Sequence, residues 1–157
     1  MKIRVAVEDD LERICVLANQ INQHHHENEP KIFAKPGNVL DECEFWRSKI
    51  CGDGTAVLVV EADSIVHGFV LAVLAGSPSV PFLEKTRVCR IGTIVVSDEY
   101  QNVGIGKQLL AKAERWAKEQ GVSEIRLEVM EFNEAARGFY DKLGFRTQSR
   151  VLSKTIV

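Results

Sequence analysis

Apolar residues recur along this chain with two distinct periods, and the alternation between the periods predicts the order of elements. Ile3 and Val5 alternate with polar neighbours as a short first strand. Leu11, Ile14, Leu17, Ala18 and Ile21 then follow at helical spacing, behind Asp9 and Asp10, either of which can cap a helix. The stretch from His24 to Asn38, with Pro30, Pro36 and Gly37, predicts a loop. A second helix is expected from about Val39 to Ile50, with Trp46 packed inward. Thr55 to Ala62 and Ile65 to Ala75 are rich in Val, Leu and Ile and are parted by Asp63-Ser64, which reads as a hairpin. Gly76-Ser77-Pro78-Ser79 breaks that pattern.

The same reading continues to the C-terminus. Arg87 to Val96 is the next expected strand, and Gly92 within it suggests a bulge or a close approach of another backbone or ligand. Ile105, Leu109, Leu110, Ala113, Trp116 and Ala117 form an apolar stripe opposite Lys107, Lys112, Glu114, Arg115, Lys118 and Glu119. This is a helix that Gly121 should end. Ile125, Leu127 and Val129 alternate with Arg126, Glu128 and Met130 as a two-faced strand. Asn133 is placed to cap a helix carrying Ala136, Phe139, Tyr140 and Leu143, which Gly144 closes. Phe145 to Val157 would supply one or two final strands. Strand, two helices, three strands, helix, strand, helix, strand is a mixed α/β layer structure. No repeat or Pro/Gly/Ser-rich divide splits it, so residues 1–157 are expected to form a single domain.

Composition narrows the class. At 157 residues the chain is long enough to bury roughly 70% of its unfolded surface. With 45% hydrophobic and 27% charged residues it matches an ordinary globular domain. Twenty Lys and Arg against 22 Asp and Glu give a formal charge of -2 with the signs interspersed, which argues against a general nucleic-acid binder. The Met-Lys-Ile-Arg-Val start lacks a signal-peptide core, and no apolar run approaches the roughly 20 residues that span a bilayer. A cytoplasmic protein without membrane partners is expected, with Cys15, Cys43, Cys51 and Cys89 as free thiols rather than a disulfide framework.

Candidate chemistry begins at Gln101-Asn102-Val103-Gly104-Ile105-Gly106, where a strand hands over to a long helix. First-turn amides lack intrahelical acceptors and the helix dipole is positive there, so an anion suits the position. Glycines at 104 and 106 would let backbone N–H groups approach a pyrophosphate, with Lys107 or Gln101 adding donors. A dinucleotide fingerprint needs a glycine where Leu109 stands, and a Walker loop needs Ser or Thr where Gln108 stands; both fail.

The turn resembles the cofactor motif of the GCN5-related N-acetyltransferase superfamily: Gln or Arg, two residues, Gly, one residue, then Gly or Ala. The family's downstream signature is matched by Asn133, Ala136, Phe139-Tyr140 and Leu143-Gly144-Phe145. The resemblance is strong from about Thr55 onward and weaker before it. It implies a central, mostly antiparallel twisted sheet, splayed at the cofactor site and flanked by helices. It also implies acetyl-coenzyme A as cosubstrate. Backbone groups of Ile94, Val95 and Val96 would hold the pantetheine arm, and Gly104, Ile105, Gly106 and Lys107 the pyrophosphate, within a motif that includes Gln101, Asn102 and Val103. Asn133, Ala136 and Tyr140 complete the implied cofactor set. Residues 86–145 would then be the cofactor-binding and catalytic region and residues 22–52 the acceptor-specificity region.

The implied reaction is direct attack of an amine on the thioester, with Tyr140 protonating the departing thiolate. Deprotonating an amine about 3.4 units below its pKa costs about 4.6 kcal/mol, so a base or water relay is required. Family members often carry a carboxylate on the strand before the phosphate turn, where this chain has Gly92 and Thr93. Glu128 is the first candidate, with Glu131, Glu27 and Glu29 behind it; a solvated or ion-paired strand residue is the plainer reading of Glu128. His24, His25 and His26 are adjacent on an expected loop and would not converge on one tetrahedral ion, so no metal is expected and their expected role is an exposed or acceptor-site one. The acceptor is expected to be the primary amine of a small molecule or peptide. A protein N-terminus or lysine is the rival, and a non-catalytic acyl-coenzyme A sensor the reading from another class. A homodimer through C-terminal strands is implied by the resemblance.

Overall fold

The computed structural model describes residues 1–76 and 79–156, with the side chains of residues 39–41 outside that description. Strand β1 (Lys2–Val5) is followed by a 3-10 turn over Glu8–Asp10 and by helices α1 (Leu11–Asn28) and α2 (Val39–Ile50). Strands β2 (Thr55–Ala62), β3 (Ile65–Gly76) and β4 (Arg87–Val96) come next. A second 3-10 turn over Asp98–Tyr100 leads to α3 (Ile105–Glu119), β5 (Ile125–Leu127) and α4 (Glu134–Lys142). The five strands lie in the order β1-β2-β3-β4-β5, the first four antiparallel to one another in turn and β5 parallel to β4. This is the mixed α/β architecture that the sequence pattern predicts.

Helices cover both faces of the sheet. On one, Ile14, Leu17 and Ala18 of α1 and Trp46 of α2 pack on Val57, Val59, Phe69 and Leu71. The Trp46 ring meets Phe69 edge-on at 5.0 Å. On the other, Leu109, Leu110, Ala113 and Ala117 of α3 pack on Leu58, Val60, Val70 and Ala72. Burial on both faces explains why β2 and β3 read as continuous apolar runs instead of alternating ones. Asp63 and Ser64 both take positive φ, at 50° and 63°, the backbone of the tight turns that match strand twist.

Four expectations are corrected. Helix α1 runs on to Asn28, so His24, His25 and His26 sit in its last turns and not in a loop; Pro30 stops the helix only just before itself. Asp10 does not cap α1. Its carboxylate accepts from Val7 N at 2.8 Å and from both Arg4 terminal nitrogens at 2.6 and 2.9 Å, and the Arg4 guanidinium holds it below the usual carboxylate range. Strand β5 stops at Leu127, short of Val129, because β4 changes course at Gly92: Ala72 pairs with Ile91 but Leu71 with Thr93, leaving Gly92 as the extra residue of a bulge.

The final strands are the fourth correction. Residues 146–156 form no strand and are exposed, with Val151, Leu152 and Ile156 at 95%, 90% and 92%. A strand forms only against an edge that takes up its N–H and C=O groups, and this segment lies against none. Val157 falls outside the described residues. No helix among the described residues is long and apolar enough to cross a membrane.

Candidate active site

The bulge at Gly92 creates the opening on which the site is built. Strand β5 pairs with β4 only at Cys89, Arg90 and Ile91, while β4 continues to Val96 against Val70, Phe69 and Gly68 of β3. From Thr93 onward no strand among the described residues lies beside the other edge of β4. Ile94, Val95 and Val96, the residues expected to hold a pantetheine arm, therefore lie along an edge open on the side away from β3, where the Gln101 side chain reaches Val96 O.

The phosphate turn follows at once. Asn102 and Gly104 both take left-handed backbone, φ 62° and 86°, which turns successive amides toward one side before α3 begins. The N–H groups of Ile105, Gly106 and Lys107 occupy the first turn, and the first intrahelical bond there is Gln108 N to Gly104 O at 3.2 Å. That is a donor set suited to a pyrophosphate. Gly104 is needed for its conformation: nothing lies within 4 Å of where a Cβ would sit. Gly106 is needed for space, since a Cβ would come within 3.2 Å of the Phe139 ring. Val103 is exposed at 63%. Gln101 is engaged elsewhere than expected, its amide nitrogen donating to Asp98 at 2.9 Å and to Val96 O at 3.1 Å.

Helix α4 carries the second half of the motif. Asn133 caps it, its side chain accepting from Ala136 N at 3.0 Å. Gly144, at φ 88°, lets the chain fold back so that Phe145 N donates to Tyr140 O at 3.1 Å and Gly144 N to Asp141 O at 3.0 Å. The Phe145 ring then meets the Tyr140 ring at 5.5 Å, with Phe139 at 5.3 Å on another side. Burial pushes the Tyr140 phenol above its ordinary value, so it is fully protonated at neutral pH.

The candidate bases are less secluded. Glu128 lies one residue past β5, highly exposed, with its carboxylate on the Arg90 guanidinium at 2.5 Å. Glu131 pairs with Arg137 at 3.1 Å. Glu27 accepts from Gln23 at 2.7 Å, and Glu29 closes α1 through its backbone. Burial pushes the Cys15 thiol up to about 12, helped by neighbouring Cys43, and also raises Cys89, so neither is a thiolate nucleophile at neutral pH.

On the α1 side, the histidines serve as ring surfaces. His25 stacks on Phe33 at 4.6 Å and meets Phe132 edge-on at 6.0 Å, while His24 lies 5.8 Å from Phe132. Burial, with His24 adjacent, lowers the pKa of His25, and His26 Nδ1 lies 2.9 Å from Phe33 O. No metal-binding group of side chains occurs among the described residues. Next to Phe33, a cavity of about 440 Å³ is lined by Asn22, Pro36, Asn38 and Glu42, among others. Sequence reasoning missed Phe33, Phe132 and Glu42; their single signal was position within or beside the segments that separate recognisable elements.

A model of the acetyltransferase (GNAT) family matches residues 12–145. Over 90 residues the chain is 36% identical to a Bacillus subtilis (strain 168) protein named as an acetyltransferase, covering 54% of this chain and 58% of that protein. The chain thus spans little more than half the length of that relative. It is 30% identical over 109 residues to spermidine N(1)-acetyltransferase of Thermoplasma acidophilum, covering 67% of this chain and 68% of the other. Among solved structures, a Bacillus halodurans protein superposes with a TM-score of 0.91 at 24% identity over 100% of both chains. Aminoglycoside N-acetyltransferase AAC(6')-Iy, in complex with CoA, gives 0.80 at 21% identity over 99% of this chain and 93% of its own. These two likenesses speak for the fold.

Proposed function

The chain belongs to the acetyltransferase (GNAT) family, and on that footing we propose that it transfers the acetyl group of acetyl-coenzyme A to the primary amine of a small molecule. The observation that carries the proposal is the open edge of β4 at residues 93–96 running directly into the bare amides of α3. One acyl-coenzyme A fits this sequence of groups: pantetheine along Ile94, Val95 and Val96, pyrophosphate on Gly104, Ile105, Gly106 and Lys107. Residues 86–145 are thereby the cofactor-binding and catalytic region, with Gln101 bracing the turn and Asn133 and Ala136 fixing the start of α4.

In the proposed reaction the amine nitrogen forms a bond to the thioester carbon and the C–S bond breaks. The sulfur leaves with the electron pair and takes the phenolic proton of Tyr140. The amine's own proton passes through water to Glu128. Direct transfer leaves no acyl group on the protein. An acceptor amine would enter by the open hollow beside Phe33, which has Glu42 in its wall and lies within the proposed specificity region 22–52. The relative named as a spermidine N(1)-acetyltransferase supports a small acceptor over an extended peptide.

We also propose that the protein pairs with a second copy. Among the described residues no strand lies on the outer edge of β5, and Val151, Leu152 and Ile156 of the 146–156 segment are almost wholly exposed. Donation of that segment to the neighbouring copy would satisfy both. The non-catalytic sensor reading draws its support from the Glu128–Arg90 ion pair, which occupies the candidate base. Calorimetry with acetyl-coenzyme A and a thiol-release assay over a panel of amines test these readings together. Binding with turnover is expected. Binding without turnover on any amine would favour the sensor, and a folded protein with no saturable binding would sink both.

A further inference from the structure

His67 stands apart from every group used so far. Between β2 and β3, Val60 pairs with Gly68 and Glu61 with Val66, so His67 is the extra residue of a bulge. Neighbouring elements pin that bulge: Arg13 Nε of α1 donates to Val66 O at 2.8 Å, and Ser97 N donates to His67 O at 2.7 Å. A bulge re-aims a side chain, and here it turns the imidazole under the segment that follows β4. The residue is 8% exposed, and its Nδ1 has no hydrogen-bond partner. Burying a polar ring with an unpaired nitrogen is unfavourable. What the ring does make is a stack on Tyr100, centroids 3.9 Å apart and planes 28° from parallel.

Tyr100 is the last residue of the 3-10 turn that leads into the phosphate-binding residues. Asp98, Glu99, Gln101, Asn102, Val103 and Gly104 around it are all exposed, while its own ring is partly buried and packs the turn against the core. The remaining ties are polar and near solvent: Tyr100 N to Ser97 O at 2.9 Å, and Gln20 and Gln101 on the Asp98 carboxylate. Two residues past Tyr100 the backbone enters the left-handed conformations that aim the α3 amides.

We infer that His67 is a positioning residue for cofactor binding: its stack on Tyr100 fixes the 98–104 turn and so the amides that receive the pyrophosphate. The inference rests on the acetyl-coenzyme A reading above for its ligand, but not for the turn. A positioning role of this kind acts on capture of the cofactor and leaves the acyl transfer step alone. A flat apolar ring can replace the imidazole, because Nδ1 makes no bond; a methyl group cannot.

Three variants test it, His67→Ala, His67→Phe and Tyr100→Leu, each measured by calorimetry with coenzyme A, steady-state kinetics, and amide hydrogen exchange of residues 98–106. His67→Ala is expected to raise the KM for acetyl-coenzyme A and the Kd for coenzyme A about 3- to 10-fold, the scale of one lost aromatic pair. Turnover at saturation should stay within about twofold, and exchange at 98–106 should quicken. His67→Phe should bind as the parent does. Tyr100→Leu reaches the same stack from the outer side, should His67→Ala fold poorly, and should match it. Unchanged exchange and affinity in Tyr100→Leu, or equal losses in His67→Phe and His67→Ala, would overturn the inference. If the parent protein does not bind coenzyme A, the acetyltransferase reading falls by itself. Faster exchange at 98–106 in the variants would then still support the role of the stack, and unchanged exchange would end it.

Discussion

Tyr140 owes its setting to two neighbours and one glycine. Phe139 and Phe145 wall in its ring, and Gly144 supplies the left-handed turn that brings Phe145 back. Tyr140→Phe keeps the ring and removes the proton. Turnover is therefore expected to fall on the order of 100-fold while the Kd for acetyl-coenzyme A holds; a folded variant working at the parental rate would take the phenol out of the reaction. The raised pKa adds a second readout. Because the folded phenol ionises above the unfolded one, its contribution to stability is whole below about pH 10 and is lost as the pH rises further. Thermal unfolding followed through that range should show the loss in the parent and its absence in Tyr140→Phe. The candidates on helix starts and stops, Asn133, Gly104 and Gly144, were legible because each carries a local backbone signature. The partner of Glu128 was not, since Arg90 reaches it only through the parallel register of strands 36 positions apart, Cys89 with Ile125.

Among the elements, α3 is the one whose start carries the chemistry. Gly104 holds φ 86°, and a side chain there meets no steric wall but does meet the backbone penalty of left-handed conformation. Gly104→Asp adds a negative charge at the positive end of the helix, where an anion is to be received. Its Kd for acetyl-coenzyme A should rise about tenfold or more, with helix content retained by circular dichroism. Parental affinity would move the pyrophosphate away from this turn. Helices α2, α3 and α4 and the β2–β3 hairpin followed directly from period and punctuation. Helix α1 outran its expected end because its last turns carry His24, His25 and His26, which break no rule of helix formation yet offer no apolar stripe; they are held by Phe33 and Phe132 instead. Strand β5 fell short because nothing local to Glu128 and Val129 records where β4 turns away. The bulge at His67 was invisible for the same reason, as it exists only in the register between two strands.

At the scale of the molecule, the exposed segment 146–156 is the feature that alternation in the sequence misassigned, since a strand pattern gives no partner. Light scattering should report twice the chain mass, and a chain ending at Phe145 should report a monomer with more rapid unfolding of β5. A parental monomer over a wide concentration range would dismiss the second copy. The order of the sheet also sets a timetable. Strands β2, β3 and β4 follow one another in sequence and in space, whereas Lys2 must find Glu61 across all of α1 and α2. Closing that long loop is entropically costly and is rewarded only after an edge exists to receive it. The meander should therefore form the nucleus and β1 should arrive late. In stopped-flow measurements, Val70→Ala is expected to slow refolding, while Ile3→Ala should leave refolding nearly unchanged and speed unfolding. A slowed refolding limb for Ile3→Ala would mean that the N-terminal strand is in place before the barrier is crossed.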